Sequence, residues 1–496
     1  MNKTMNKTHT SRRTFLKLGG AALAASLVSP ALAQASEVAQ RVDPEVHLLN
    51  RLTWGPRPEE VKQLKKMGAK RYLERQLHPE RIDDAALDVA LRELPILAMD
   101  RRTAHRLDDR NRCREALVRG AVLRAAHSKR QLFERMVDFW TDHFNVPSRD
   151  LEPEVVVFQQ KIRAHALGNF RDLLFATAQS PAMLTYLNNK SNEAESPNEN
   201  YARELLELHT LGVDGGYSER DVKEVARAFT GWTVDDRTDT GFYFRYDTHD
   251  GGEKHLLGHT LPEGRGIEDG LHVLDIAANH PSTARFICSK LCVKFVADEP
   301  PHNLVESAAR VWRRTDGDIK EVLRFIFLSE EFGASAGRKL RRPLEFFVAA
   351  LRATGTEVRD DDELKRLLED LAHVPYGWEP PDGYPDRAAA WLSSSNLLAR
   401  WNVASSLTHN AYSVQDTQMS TELHTRVGGS ETVAELVDGV AYQVFARRLE
   451  EVERAPFVAF ASDEEGGDVS VTPHLLASKL APLYGLMLAS PSYQWM

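Results

Sequence analysis

Residues 198–232 constrain the fold more than any other stretch, because they form the pattern of two amphipathic helices joined by a glycine-rich turn. At about 100° per residue, the first helix places its apolar side chains on one arc and its polar side chains on the opposite arc. Gly212 predicts the end of that helix. Ser218, with Asp221 three residues later, predicts a capping box for the second helix. The stretch therefore predicts a tightly specified helical hairpin.

Helical periodicity recurs along most of the chain, and the pattern changes directly after the hairpin. Aromatic residues occupy positions 242, 244 and 246, and the sequence His-Asp-Gly-Gly follows at 249–252. Apolar residues at every second position around a glycine turn are typical of a β-hairpin. The sequence therefore predicts an all-α fold, a predominantly helical multi-helix body with one small β-hairpin inserted at about 233–265.

The N-terminus has the features of an export signal. Arg12 and Arg13 precede a weakly apolar run at 18–28 and the small-residue site Ala31-Leu32-Ala33. This order is typical of a twin-arginine signal peptide, which predicts cleavage near Ala33 and a periplasmic or secreted protein. No later run reaches the roughly 18 to 20 apolar residues of a membrane span, so we expect no transmembrane segment.

The predicted domain organisation follows from these patterns. After the signal peptide at 1–33, we predict an N-terminal helical segment at 34–110 and a main helical body with the β-hairpin insertion at 111–408. C-terminal helices and polar loops complete the chain at 409–496.

Charge and cysteine content exclude some classes of partner and fold. The net charge is −9, from 63 basic and 72 acidic residues, and no basic stripe is present. This argues against nucleic acid and anionic lipid as partners. Three cysteines cannot supply a disulfide framework. Cys288 and Cys292 lie one helical turn apart, either as two small buried side chains or as two soft metal ligands.

Seven segments occur together in one order, and they resemble the bacterial family known as domain of unknown function 1800. They are residues 47–56, 139–144, 198–232, 249–254, 285–295, 317–319 and 383–385. The resemblance begins near residue 44 and continues towards the C-terminus. It implies an exported, largely helical protein whose partner is a neighbouring exported sulfatase-like protein. It implies no catalytic residues.

The first helix of the hairpin carries four of the candidate site residues. We predict Glu204 and His209 as catalytic groups and Asn200 and Arg203 as substrate-binding groups. Asn200 and Glu204 share one helical face with Glu207, a geometry that can offer polar side chains to a metal or substrate, whereas His209 lies on the apolar side. The alternative is an exposed face on which Arg203 pairs with Glu207. For His209 the alternative is a buried histidine bonded to the backbone.

The other candidates are His249 and Asp250 as catalytic groups and Lys254 and His143 as substrate-binding groups. A tight turn gathers the first three, and the alternative is that Asp250 bonds only local backbone. Because Trp232 leads directly from the helical hairpin into the β-hairpin, we expect the two groups to converge on one concavity that His143 also lines.

A stripe of three acidic residues, Glu134, Asp138 and Asp142, occurs at every fourth position before His143. We interpret it as a solvated face in preference to a metal site.

These residues support two hypotheses of function. The first is an exported enzyme, metal-dependent or acting by acid–base chemistry, on an envelope or extracellular polymer such as a polysaccharide. The cofactor is unknown, and a divalent metal is one option. The second is a non-catalytic scaffold or partner for the sulfatase-like protein. The sequence has no GxSxG elbow, phosphate loop or dinucleotide fingerprint, which disfavours common acyl hydrolases, nucleotide enzymes and Rossmann oxidoreductases.

Overall fold

The computed structural model describes residues 42–238, 240–356, 360–409, 423 and 427–496. The protein is 62% helical, which confirms the predicted fold class against a typical content of about one third. Within the described residues, twelve α-helices precede the strands: α1 Pro44–Leu52, α2 Pro58–Met67, α3 Ala69–Leu77, α4 Ala85–Leu91, α5 Arg101–His105, α6 Asn111–His127, α7 Gln131–His143, α8 Glu152–His165, α9 Phe170–Ala178, α10 Pro181–Tyr186, α11 Asn200–Glu204 and α12 Glu219–Ala228.

Twelve further α-helices follow the strands in the described part of the chain. They are α13 Glu268–Asn279, α14 Pro281–Phe295, α15 His302–Arg314, α16 Ile319–Phe327, α17 Glu330–Gly333, α18 Pro343–Thr354, α19 Asp361–Asp370, α20 Ser394–His409, α21 Val433–Phe445, α22 Glu451–Ala461, α23 Pro473–Ala489 and α24 Pro491–Gln494.

The predicted single β-hairpin is two separate antiparallel pairs. Strand β1 Trp232–Val234 pairs with β2 Phe242–Phe244, and β3 Lys254–Leu256 pairs with β4 His259–Leu261. The turn of the second pair is Leu257-Gly258, where both residues have positive φ, as a two-residue type I′ turn requires. The sequence His-Asp-Gly-Gly at 249–252 lies between the two pairs and not in a hairpin turn. The location predicted for the β structure is therefore right, and the predicted turn is wrong.

The helical hairpin begins its second helix as predicted. The Ser218 hydroxyl accepts a hydrogen bond from the backbone N–H of Asp221, and the Asp221 carboxylate accepts one from the backbone N–H of Ser218. This capping box fixes the start of α12. The first helix differs from prediction, because α11 ends at Glu204 and a π-helical turn, Leu205–His209, follows it.

Two hydrophobic cores lie side by side. The first gathers α1 to α3 and the helices from α7 to α16, and the second gathers α18 to α23. Helix α6 contributes Cys113 and Leu117 to the first core and Val122 and Ala126 to the second. All residues of α18 are buried, as expected of a helix that is surrounded by other elements. The N-terminal turn of α18 meets α7, where Glu345 binds Arg135, and the candidate site lies there.

No helix in the described ranges is long and apolar enough to cross a membrane. The twin-arginine segment and the cleavage site at Ala33 lie outside the described residues. The domain boundaries at 110 and 408 stay predictions.

Candidate functional site

The acidic stripe of α7 is largely buried and fully paired, so its interpretation as a solvated face is wrong. Glu134 accepts two hydrogen bonds from Arg163 of α8, at 2.7 and 2.8 Å. Asp138 and Asp142 both bind the guanidinium of Arg342, each at 2.5 Å. Arg342 lies 200 positions or more along the chain from these two carboxylates. A long-range partner therefore neutralises charges that look solvated in sequence.

The pair of aspartates belongs to a larger buried ion network at the start of α18. Lys294 of α14 lies 3.0 Å from Asp138 and 3.0 Å from Glu345. Glu345 also binds Arg135 at 2.7 Å. Asp386 completes the network from the loop before α20, at 3.2 Å from Lys339. Because each buried charge has an opposite partner, the network can exist between two hydrophobic cores.

His143, the last residue of α7, is held by both ring nitrogens. Its Nε2 lies 3.0 Å from the carbonyl oxygen of His209. A carbonyl can only accept, so Nε2 carries the proton and Nδ1 is left as an acceptor. Nδ1 lies 3.0 Å from Nζ of Lys290, which therefore donates to it. Burial, followed by the charge of Lys290, holds the pKa of His143 well below its usual value, so the ring is neutral.

His209 is positioned by the π-helical turn. The hydroxyl of Thr210 donates to the carbonyl of Leu205, and the N–H of Gly212 donates to the carbonyl of Leu206. The His209 ring is buried, and its Nε2 has no hydrogen-bond partner among the described residues. Burial lowers the pKa of His209 to about 3. Gly212 has φ +85°, and a β-carbon there would lie 2.7 Å from the ring of Phe286, so only glycine lets the turn approach α14.

Lys290 and Asp142 have pKa values that bracket neutral pH. Burial lowers the pKa of Lys290 to about 8, against the opposing charges of Asp142, Asp386 and Asp382. Burial raises the pKa of Asp142 to about 6, although Arg342 acts to lower it. Lys290 is half-buried, and the side chain of Asp142 is 19% exposed, so solvent reaches both groups.

The proline-rich segment at 374–386 covers this centre. Gly383 has φ +74°, and a β-carbon there would lie 2.0 Å from the carbonyl oxygen of Asp142. The segment is tied to the end of α7 by Asn145, whose Nδ2 donates to two of its carbonyls, at 2.7 and 2.8 Å. Its half-buried rings, Trp378 and Tyr384, lie 4.8 Å apart at their centroids. The segment thus presents an aromatic surface beside Asp142.

Comparison with known proteins decides the family. A family model described as "Protein of unknown function (DUF1800)" matches residues 47–495. The chain belongs to the DUF1800 family. No curated protein and no solved structure matches it.

In this DUF1800 protein, four of the segments that carried the resemblance meet at one place. Residues 139–144 supply Asp142 and His143, the helical hairpin supplies His209, residues 285–295 supply Lys290, and residues 383–385 supply Gly383 and Tyr384. Sequence reasoning chose His143 and His209 and missed Asp142 and Lys290. Asp142 and Lys290 both lie in segments shared with the family, which could have pointed to them. The order of the segments did not show which of them would touch.

Of the remaining candidate residues of the first hairpin helix, Arg203 and Asn200 have partners of their own. Glu204 is half-buried, and burial followed by the charge of Glu207 raises its pKa. Arg203 binds Glu219 at 2.7 Å and Glu199 at 3.3 Å, so the predicted pair with Glu207 is not the one formed.

Asn200 lies at the start of α11, where its side-chain amide has a backbone partner. Nδ2 donates to the carbonyl of Leu187 at 3.3 Å.

The residues predicted from the turn at 249–254 form a second group around Asp269 of α13. Lys254 is fully buried and donates to Asp269 at 2.7 Å and to the carbonyls of Asp250 and Gly252. All three of its ammonium protons are thus in use. His249 Nε2 lies 3.4 Å from the same carboxylate. Burial acts to raise the pKa of Asp269, but the hydrogen bond from Lys254 and the charges of Lys254 and Arg265 hold it below its usual value.

Asp250 joins this second group to α12. Its carboxylate binds Arg227 at 2.6 Å and accepts a hydrogen bond from the backbone N–H of Gly252. In the described residues, no hydrogen bond, ion pair or ring contact connects this group with His143, His209 or Glu204. Arg203 meets α12 at its first residue, whereas Asp250 meets it near its last turn. The structure thus brings His143 and His209 together and gathers His249, Asp250 and Lys254 elsewhere.

The cysteines and the histidines bear on metal binding. Cys288 and Cys292 are buried, and burial raises the pKa of both thiols, which fits the interpretation as small core side chains. Within the described ranges, no group of three or more His, Cys, Asp or Glu side chains has an arrangement that could hold a metal ion.

Proposed function

We propose that this DUF1800 protein is an exported enzyme that uses acid–base chemistry on an envelope or extracellular polymer such as a polysaccharide, with Lys290 and Asp142 as its proton-transferring groups. The observation that carries the proposal is the contact of 3.0 Å between Lys290 Nζ and His143 Nδ1, beside a carboxylate of raised pKa.

The two pKa values assign the roles. With values of about 8 and about 6, Lys290 is mostly an ammonium and Asp142 mostly a carboxylate at neutral pH. Lys290 then donates a proton and Asp142 accepts one. Two titratable groups whose surroundings move their pKa values to either side of the working pH are the pattern of an acid–base pair.

His143 acts as a positioning residue in this proposal. Its Nε2–H is fixed by the carbonyl of His209, so its Nδ1 can only accept, and it directs the ammonium of Lys290. Both ring nitrogens are in use. A metal ion at His143 would have to displace one of these hydrogen bonds, so the contacts favour the acid–base form of the hypothesis over the metal-dependent form.

The surroundings of the pair support a polymeric substrate. Trp378 and Tyr384 offer neighbouring aromatic faces, and such rings suit the apolar faces of sugars. The twin-arginine segment in the sequence supports an extracytoplasmic substrate.

The test is turnover by the purified mature protein on a panel of bacterial envelope polysaccharides, measured as new chain ends. Lys290→Met should lower kcat by about 10²- to 10⁴-fold, the usual contribution of one acid–base group. The matched control is Lys223→Met, at an exposed lysine of α12, which should keep full activity. Equal activity in both variants would remove Lys290 from the reaction. If no polymer is cleaved and an exported sulfatase-like protein co-purifies in stoichiometric amount, the scaffold hypothesis replaces this one.

A further inference from the structure

A cavity of about 50 Å³, with apolar walls and a few polar side chains, lies beside the acidic stripe, between α6, α7, α8 and the segment that precedes α20. Its lining includes Asp142 and Tyr384, so it adjoins the proposed reacting centre. Since one water needs about 10 to 15 Å³ measured in this way, the cavity has room for a few polar atoms.

Three buried polar atoms of the lining residues have no partner among the described residues. They are the indole nitrogen Nε1 of Trp54, Nε of Arg124 and the side-chain oxygen Oε1 of Gln159. Trp54 is 4% exposed and Gln159 is 1% exposed. Buried polar groups are nearly always hydrogen-bonded, so two donors and one acceptor without partners point to a ligand that supplies the complement.

Arg124 is the cation of the lining whose charge is not matched. Arg163 is paired with Glu134, and the carboxylates of Asp138 and Asp142 are held by Arg342. No ion pair or hydrogen bond of Arg124 occurs in the described part of the chain. Burial lowers the pKa of Arg124 to about 10, so it is still a cation at neutral pH.

We propose that this cavity binds the carboxylate of a sugar acid, with Arg124 and Trp54 donating to the carboxylate and Gln159 accepting from a neighbouring hydroxyl. A carboxylate matches the planar guanidinium and the small volume, and a hydroxyl is the donor that Gln159 Oε1 lacks. The proposal rests on the proposed function and narrows its substrate to an acidic polysaccharide that contains uronic acid residues.

The position of the cavity agrees with this substrate class. Asp142 lies on its wall, so a uronate held there brings its ring to the carboxylate that accepts the proton. The carboxylates of Asp138 and Asp142 oppose an anion, and their pairing with Arg342 reduces that repulsion. Tyr376 and Tyr384 supply aromatic walls for the rest of the ring.

The test is calorimetric titration of the full mature protein with glucuronate, glucose, acetate and inorganic phosphate. We expect glucuronate to bind once per chain and more tightly than the other three probes. Arg124→Gln should weaken glucuronate binding by about 10- to 100-fold, the factor for losing a hydrogen bond to a charged group. Arg110→Gln, at an exposed arginine that precedes α6, is the matched control and should bind as the native protein does.

A second measurement separates lost binding from lost folding. Arg124→Gln removes a half-buried charge that has no ion-pair partner among the described residues, so its melting temperature should be equal to or above that of the native protein. Unchanged glucuronate binding in Arg124→Gln would overturn the proposal. Acetate or phosphate that binds as tightly as glucuronate would also overturn it. Either result would mean that the sugar hydroxyl contributes nothing through Gln159. Lys290→Met should bind glucuronate normally, so a failure of the proposed reaction and a failure of this site give different results.

Discussion

Lys290 Nζ lies 3.0 Å from Nδ1 of His143, although the two residues are 147 positions apart in the chain. The contact joins the C-terminal end of α7 to the middle of α14. It places a cation of lowered pKa beside a neutral ring and close to a carboxylate of raised pKa. The first prediction follows from this relationship.

Activity should follow a bell-shaped pH profile with limbs near pH 6 and pH 8. Asp142 must be ionised to accept a proton, so activity rises as the pH passes its pKa of about 6. Lys290 must be protonated to donate, so activity falls above its pKa of about 8. The measurement is kcat/KM against pH. Asp142→Asn should abolish activity. A native profile that is flat from pH 5 to 9 would contradict the roles assigned to Asp142 and Lys290.

The reactivity of Lys290 gives a check that needs no substrate. The neutral amine is the form that reacts with an acylating reagent, so the labelling rate of Lys290 should rise with a midpoint near pH 8. Mass spectrometry of labelled peptides measures this, with Lys223 as the internal reference. In His143→Phe the Lys290 ammonium loses Nδ1 as its acceptor, so the midpoint of Lys290 labelling should move away from pH 8.

Glu345→Gln should destabilise the protein by roughly 3 to 5 kcal/mol, the cost of breaking a buried ion pair. Its carboxylate is 2% exposed and lies against Arg135, Lys294 and Arg342. Denaturant unfolding measures the loss. Glu59→Gln, at an exposed glutamate of α2, should change stability by at most about 0.5 kcal/mol.

The same network predicts a pH dependence of stability. Burial acts to raise the pKa of Glu345, but Arg135, Lys294 and Arg342 hold it well below 4.5. A carboxylate with a lowered folded pKa contributes stability that is present above its unfolded pKa and is lost as the pH falls through the folded value. Native unfolding free energy should therefore drop below about pH 4.5, and Glu345→Gln should show a smaller drop. Parallel curves for the two proteins would show that Glu345 is not responsible.

Gly383→Ala should displace the proline-rich segment from Asp142. The new β-carbon would meet the Asp142 carbonyl at 2.0 Å, at a residue with φ +74°. Backbone strain of this kind costs about 1 to 3 kcal/mol, and the melting temperature should fall accordingly. Gly251→Ala is the control, because its β-carbon would have no heavy atom within 4 Å and its φ is not positive. A native melting temperature in Gly383→Ala would disprove the close contact.

The group around Asp269 should act mainly through stability. Lys254→Met leaves the buried Asp269 carboxylate without its closest partner. We therefore expect the free energy of unfolding to fall by about 3 to 5 kcal/mol. Lys290→Met should lose activity with little change in melting temperature. If Lys254→Met instead keeps its stability and loses turnover, then Lys254, and with it His249 and Asp250, belongs to the reacting site as the sequence predicted.

The sequence determined the helical class, the capping box of Ser218 and Asp221 and the place of the β structure. These depend on periodicity and on contacts between residues a few positions apart, which the order of residues specifies directly. The π-helical turn at 205–209 escaped prediction, because α- and π-helical turns bury nearly the same apolar side chains.

Only the tertiary structure decided which polar residues meet. Glu134, Asp138 and Asp142 have the spacing of a solvated helix face, but they are largely buried because Arg163 of α8 and Arg342, just before α18, neutralise them. His249 and Asp250 follow the helical hairpin after β1 and β2, and they pair with Asp269 and Arg227 and not with His143. A charged side chain in the interior needs an opposite charge as its partner, and that partner is fixed by the packing of the helices and not by local sequence.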